Sequence, residues 1–262
     1  MKSAIKTIFW LLRDFTPLSA KRVLFYYLKK KKGALDYKSV FEISFRYKNK
    51  MLKFDIRENN DDFAIIREVF LFGAYKMPRI NKKFKKIFDC GGHIGAPAIY
   101  FGILNPDTSL YIFEPDKNSR KILEKNLKKN KVEAKIFPWA ISDKKKKSRF
   151  NSDYKNPAYS GISNNGGDII QTVSFKDIFS KLKIKEVDLI KMDIEGEEIN
   201  ALKTLKKGQT NFLILETHLD KYELNDLKKV IKKSGLKIMP PLKHWKELNE
   251  EIEYPIMIGV RK

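Results

Sequence analysis

Only one cysteine, Cys90, occurs in 262 residues, so no internal disulfide can form. At the end of an apolar segment it reads as a small buried hydrophobe in a cytosolic protein, not a reactive thiol. No run approaches the ~20 apolar residues that a membrane-spanning helix needs. Ile8 to Leu12 is short, is flanked by Lys6 and Arg13, and has no small-residue cleavage site at a suitable distance, which argues against a secretory signal. Arginine is scarce: of 54 basic residues all but nine are lysine, with runs at Lys29 to Lys32, Lys82 to Lys86 and Lys144 to Lys147. Arg suits bidentate recognition of bases and phosphates better than Lys does. The net charge of +22 therefore reads first as a solvated lysine surface, next as a match for an anionic membrane or acidic glycan, and last as a nucleic-acid footprint. There is no internal repeat.

What is present is enough for one α/β domain with an extension, because 42% hydrophobic content can bury a real core. Residues 1–80 form the extension and residues 81–262 the main domain. Residues 1–35 read as two basic amphipathic helices, with Ile5, Ile8, Phe9 and Leu12 on one stripe and Val23, Phe25, Tyr26 and Leu28 on the other. They either pack on the main domain or lie on an anionic bilayer surface. Residues 41–56 alternate as a hairpin turning at Lys48 and Asn49, and Asp61 to Phe72 follows as a helix capped by Asp61 or Asp62.

From residue 86 strands and helices alternate. Strands are expected at 109–114, 134–142, 187–193, 212–217, 237–239 and 254–260, and helices at 117–130, 175–182, 195–206 and 224–233. That order predicts a doubly wound, mostly parallel sheet of seven strands whose last two make an antiparallel edge. Ser160 to Asp168, SGISNNGGD, reads as one long flexible loop at a substrate pocket.

The segment around which the rest is arranged is Lys86 to Gly95, KIFDCGGHIG. An apolar strand ends in Asp89, Gly91 and Gly95 make the turn, and a helix begins, which is a strand–turn–helix unit suited to a nucleotide-like ligand. The central glycine of the dinucleotide pattern G-x-G-x-x-G is missing, because position 93 is His. The absence disfavours a dehydrogenase. Glu114, followed by Pro115, ends the second strand 25 positions after Asp89, where an acid can accept both hydroxyls of a ribose. Trp139 to Asp143, including Ala140, is placed to flank an adenine ring. Val187 to Glu198, VDLIKMDIEGEE, brings Lys191, Asp193, Glu195 and Glu198 to the carboxyl edge of the sheet, and Phe212 to His218 adds Glu216 and His218. Acids crowded at such an edge are costly unless paired or used.

These segments together resemble the FkbM-type S-adenosylmethionine-dependent methyltransferases over roughly residues 60–220. The shared pattern is D-x-G-x-x-x-G at Asp89 to Gly95, E-P at Glu114, A-x-S-D at Ala140 to Asp143, K-x-D-x-E-G-x-E at Lys191 to Glu198 and E-x-H at Glu216 to His218. One departure is Gly92-His93, where the family usually has Ala-Asn. The resemblance implies a Rossmann-like class I fold and S-adenosyl-L-methionine as cofactor, held by Asp89, Gly91, His93, Gly95, Glu114 and Ala140. It also implies methyl transfer to a hydroxyl of a sugar, glycan or glycosylated metabolite. Such a hydroxyl must lose its proton, so a base is needed: His218 is the first candidate, Asp193 and Glu195 follow, and Glu216 comes third. No spacing fixes a metal site, and none is expected. The alternative is an RNA methyltransferase using the basic surface. Asn156-Pro157-Ala158-Tyr159 resembles the element with which amino-methyltransferases grip a flipped base, but it precedes the fourth strand instead of following it. Nucleic acid is therefore the less favoured partner, and the location expected is cytoplasmic, with peripheral membrane contact through residues 1–35.

Overall fold

The structure, a computed structural model, describes residues 2–77, 83–153, 155–156, 160–163, 167–240 and 256–261. Its centre is a seven-stranded sheet built from β3 (Lys86–Cys90), β4 (Ser109–Phe113), β5 (Ala134–Phe137), β10 (Val187–Met192), β11 (Thr210–Glu216), β12 (Leu236–Ile238) and β13 (Ile256–Arg261). The strand order is β12-β13-β11-β10-β3-β4-β5. From β11 to β5 all neighbours are parallel, and β13 runs antiparallel to both β11 and β12. The doubly wound class I arrangement with its antiparallel edge is as expected. Its strands are nearly continuous apolar runs because both faces are covered.

The helices α4 (Ala96–Leu104) and α5 (Lys117–Lys129) pack into one core with Ile87, Ile112 and Leu189. On the opposite face α6 (Phe175–Leu182), α7 (Glu198–Leu202) and α8 (Leu224–Lys233) join Phe88, Ile190 and Leu213 in a second core. The chain order reverses direction between β3 and β10, and open α/β sheets form ligand crevices at the carboxyl ends of strands flanking such a point.

Ahead of the sheet come α1 (Lys2–Asp14), α2 (Pro17–Lys31), the hairpin β1 (Val40–Tyr47) and β2 (Lys50–Arg57), α3 (Asp62–Ile66) and a π-helical turn, Arg67–Phe72. Tyr47 pairs with Lys50, so the hairpin turns at Lys48 and Asn49 as expected. Thr16 caps α2 by accepting from Ser19 N, and Pro17 sits where its missing N–H costs nothing. This whole region shares the core of the α4 and α5 face. The expected boundary at residues 80 and 81 lies outside the described residues.

Four expectations need correction. The stripe Ile5, Ile8, Phe9, Leu12 faces outward, whereas Thr7, Trp10 and Leu11 are buried; on α2 Val23 and Tyr26 are buried but Phe25 and Leu28 are exposed. Of the two cap candidates Asp61 takes the N-cap position of α3, without a side-chain cap bond, whereas Asp62 lies wholly buried and pairs with Arg57, and the segment after Ile66 widens into π geometry. Residues 134–142 are not one strand. Pro138 interrupts them, and Trp139–Ile141 becomes β6 of a second sheet with β7 (Lys146–Asn151), β8 (Gly161–Ser163) and β9 (Asp168–Val173), in the order β6-β9-β7-β8. The long loop is accordingly shortened, since Gly161–Ser163 and Asp168 belong to strands; residues 157–159 and 164–166, in the two polar motifs singled out above, lie outside the described residues.

Candidate active site

At the tip of β3 the chain must turn sharply under β10. A Cβ on Gly91, at φ +82°, would stand 1.8 Å from the Asp193 carbonyl oxygen, so only glycine permits this approach. Beneath the turn Asp89 is fully buried beside Lys191, whose Nζ is 3.3 Å from Asp89 Oδ1, 3.6 Å from Asp193 Oδ2 and donates to Gly91 O at 2.6 Å. Burial pushes the Asp89 carboxyl up, and the Lys191 ammonium draws it back. For Lys191, burial opposes the charge, but Asp89 and its other anionic neighbours prevail and hold it well above the ordinary lysine value. The pair therefore welds the ends of β3 and β10 together.

The next turn carries Glu195 and Gly196 in the left-handed region, φ 56° and 100°. Glu198 anchors that turn, with Oε1 accepting from Ile194 N at 3.1 Å and Gly196 N at 3.4 Å. The same oxygen lies 2.9 Å from His218 Nδ1. The other ring nitrogen, Nε2, is 3.2 Å from Glu195 Oε2 and 3.8 Å from Asp193 Oδ1. Burial would make His218 less basic, but hydrogen bonds to Glu195 and Glu198 and the charge of Asp193 raise it to about 11. His218 is thus an imidazolium at neutral pH. Burial raises Glu195 to about 7, tempered by its bond to His218. Glu216 is pushed well up by burial and by Asp193, and Glu68 rises to about 8 for the same two reasons.

The opposite wall begins at His93, whose φ of 44° is unusual for a non-glycine residue. Its N–H donates to Glu114 Oε2 at 2.7 Å, and Asp116 N donates to Glu114 Oε1 at 2.8 Å. Burial raises the Glu114 carboxyl to about 7, and these backbone bonds restrain it. Arg57 Nη2 lies 3.0 Å from His93 Nε2. Guanidinium can only donate, so Nε2 accepts and the proton of neutral His93 resides on Nδ1. Burial keeps this imidazole neutral by lowering it to about 4. Nδ1 is buried and has no hydrogen-bond partner among the described residues.

Between these walls a cleft of about 720 Å³, its open mouth included, is lined by Gly91, His93, Glu114, Ala140, Asp193 and Glu195. Of the other residues singled out from the sequence, Asp89 lies beneath the turn, Gly95 starts α4 behind it, and His218 stands behind Glu195. Arg57, Asp62 and Glu68 were missed. They lie in the extension, where no motif marks them, and only tertiary packing brings Arg57 and Asp62 against His93, and Glu68 within electrostatic reach of Asp193.

A family model, the methyltransferase FkbM domain, matches residues 89–251. The chain belongs to the FkbM methyltransferase family. It is an S-adenosylmethionine-dependent methyltransferase, and S-adenosyl-L-methionine is its cofactor. Solved structures similar to this FkbM protein include the fibrillarin/Nop5p complex, at 13% identity, a TM-score of 0.50, and coverage of 85% of this chain and 97% of that one. A putative transferase from Pyrococcus horikoshii is 12% identical with a TM-score of 0.45, covering 86% and 73% of the two chains. A 16S rRNA N2 G1207 methyltransferase of T. thermophilus, solved with S-adenosylmethionine and guanosine, is 13% identical with a TM-score of 0.42, covering 86% and 50%. Identity at that level speaks to fold alone. No curated protein matches the chain at a significant level.

The cleft suits that cofactor. Acids crowd one wall, as a ligand carrying an ammonium and a sulfonium requires, and the orphaned His93 Nδ1–H awaits an acceptor.

Proposed function

We propose that the enzyme methylates a hydroxyl of a sugar, a glycan or a glycosylated metabolite, as a cytoplasmic O-methyltransferase. The observation that carries this reading is the convergence of Asp193, Glu195 and His218, whose donor atoms lie within 4.8 Å of one another at the cleft. A sugar hydroxyl loses its proton only to a nearby base. Glu195, with a pKa of about 7, is poised to accept it. His218 works through that carboxylate: held as imidazolium by Glu198, it steadies the negative charge of Glu195 and Asp193. Glu114 and Ala140 hold the adenosine end of the cofactor, the turn at Asp89, Gly91 and Gly95 shapes its floor, and His93 donates to its amino-acid end. When bound, the cofactor supplies an electrophilic methyl group. The chain's remaining task is to keep acceptor oxygen and methyl in line.

The same three donors could receive a divalent cation. The Lys191 ammonium, 3.6 Å from Asp193, already supplies positive charge there, so the proposal needs no metal.

The test is methyl transfer from labelled cofactor to a panel of sugars, glycolipids and RNA by the purified enzyme. Labelling of a hydroxyl in the sugar panel is expected, with turnover insensitive to EDTA. Glu195→Gln should lower kcat by about 10²- to 10⁴-fold, far more than it weakens the affinity for S-adenosylhomocysteine. Labelling of RNA alone, together with RNA binding that falls steeply with log salt, would favour the nucleic-acid alternative.

A further inference from the structure

We propose that α1 and α2 dock this enzyme on an anionic lipid bilayer. Both helices bury one face and leave a second apolar face in solvent. On α1 the buried side chains are Thr7, Trp10 and Leu11, while Ile5, Ile8, Phe9 and Leu12 are 48–75% exposed. On α2, Ser19, Val23 and Tyr26 are buried, while Leu18, Leu24, Phe25 and Leu28 are 51–59% exposed. Among the described residues twelve large hydrophobics are exposed, and these eight fall within the first 28 positions. Scattered exposed leucines need no explanation, but a concentration of this kind marks an interaction surface.

Charge selects the occupant. Residues 1–35 carry nine basic side chains and one acid, Asp14, which Arg13 already engages at 2.7 Å. A second copy of the chain would bring the same positive face and a net +22 against it, so self-association is opposed. Nucleic acid would answer the lysines and leave Ile5, Leu12 and Leu28 without purpose. A bilayer with anionic headgroups answers both, since apolar side chains enter the acyl boundary while lysines remain at the headgroups. Lys21 and Arg22 lie between Leu18 and Leu24, and Lys29 stands over the Phe25 ring at 5.5 Å. No described helix is long and apolar enough to cross a membrane, so contact is with the surface. The opposite, buried face of α2 is tied to the active site, because Tyr26 Oη donates to Asn59 O and Asn59 Nδ2 donates to the Asp62 carboxylate that holds Arg57 beside His93.

The experiment is co-sedimentation of the full chain with phosphatidylcholine vesicles, with and without 30% phosphatidylserine. Binding to the anionic vesicles, at least tenfold above the neutral ones and weakened by salt, is expected. The double variant Leu12→Ser, Phe25→Ser should lose at least tenfold in vesicle affinity. Lys31→Ala, Lys32→Ala should lose roughly 30-fold. Both should keep the parent melting temperature and cofactor affinity, because all four side chains are exposed and outside the cleft. Absence of vesicle binding, equal binding to both vesicle types, or full binding by the serine variant would overturn the proposal, as would a dimer that the serine variant dissolves.

Discussion

His218 stands among Glu195, Glu198 and Asp193, and its behaviour depends on all three. A histidine whose folded pKa is about 11 lies far above its unfolded value near 6.5. Its contribution to stability is fully present below pH 6.5 and drains away as pH rises toward 11. Denaturant unfolding between pH 6 and 10 should therefore show stability falling with pH, and His218→Asn should flatten that slope. Activity runs the other way. Glu195 accepts a proton only as carboxylate, so kcat should rise through pH about 7 and level above it; a rate flat from pH 5.5 to 8.5 would remove Glu195 from the base role. Across the cleft, Arg57 and Asp62 are buried and bound through Nε and Nη2 at 3.0 and 2.8 Å. Asp62→Ala leaves an unpaired buried guanidinium and should cost about 3–5 kcal/mol in urea unfolding. Gly91, Glu114, Asp193 and Glu195 could be found in the sequence because each follows an apolar strand at a set spacing. Arg57 and Asp62 could not, because their partner His93 is 36 positions from Arg57 and no local pattern joins them.

At the scale of elements, the parallel strands announced themselves as short apolar runs, since burial on both faces leaves no alternation to misread. The second sheet did not: β7 reads Lys-Lys-Ser-Arg-Phe-Asn, with only Phe150 buried, and it is held by pairing with β8 and β9 over a small cluster of Ala140, Phe150 and Ile170. α1 misled for a different reason. It is apolar on two stripes, and periodicity cannot say which of Ile5-Ile8-Phe9-Leu12 or Thr7-Trp10-Leu11 meets the protein. The aromatic partners decide, because Trp10 packs on Phe15 and Phe45 with ring centroids 4.8 and 5.0 Å apart. The turn after β3 is the element with least tolerance. Gly91→Ala would drive a methyl into the Asp193 carbonyl and demand positive φ as well. Cofactor affinity should fall at least tenfold even where the variant still folds, as read by calorimetric titration with S-adenosylhomocysteine.

Across the whole molecule, the extension and the sheet share one core, so ligand binding between them must register in global unfolding. His93 and Glu114 come from the sheet's first two strand ends and Asp193 and Glu195 from β10's end, all meeting at the cleft, while Arg57 from the hairpin backs His93. A ligand at ~100 times its dissociation constant adds about 2.7 kcal/mol of stability. For a chain of this size, S-adenosylhomocysteine at that excess should raise the melting midpoint by roughly 4–10 °C. NAD at equal concentration should leave it unchanged, because the turn has His93 where a pyrophosphate needs glycine, with Arg57 holding its imidazole and Glu114 its backbone N–H. His93→Gly separates the two causes of that selectivity. If it admitted NAD, the side chain alone would set the choice of nucleotide; if it only lost the homocysteine shift, the Nδ1 donor would be the reason that His stands there.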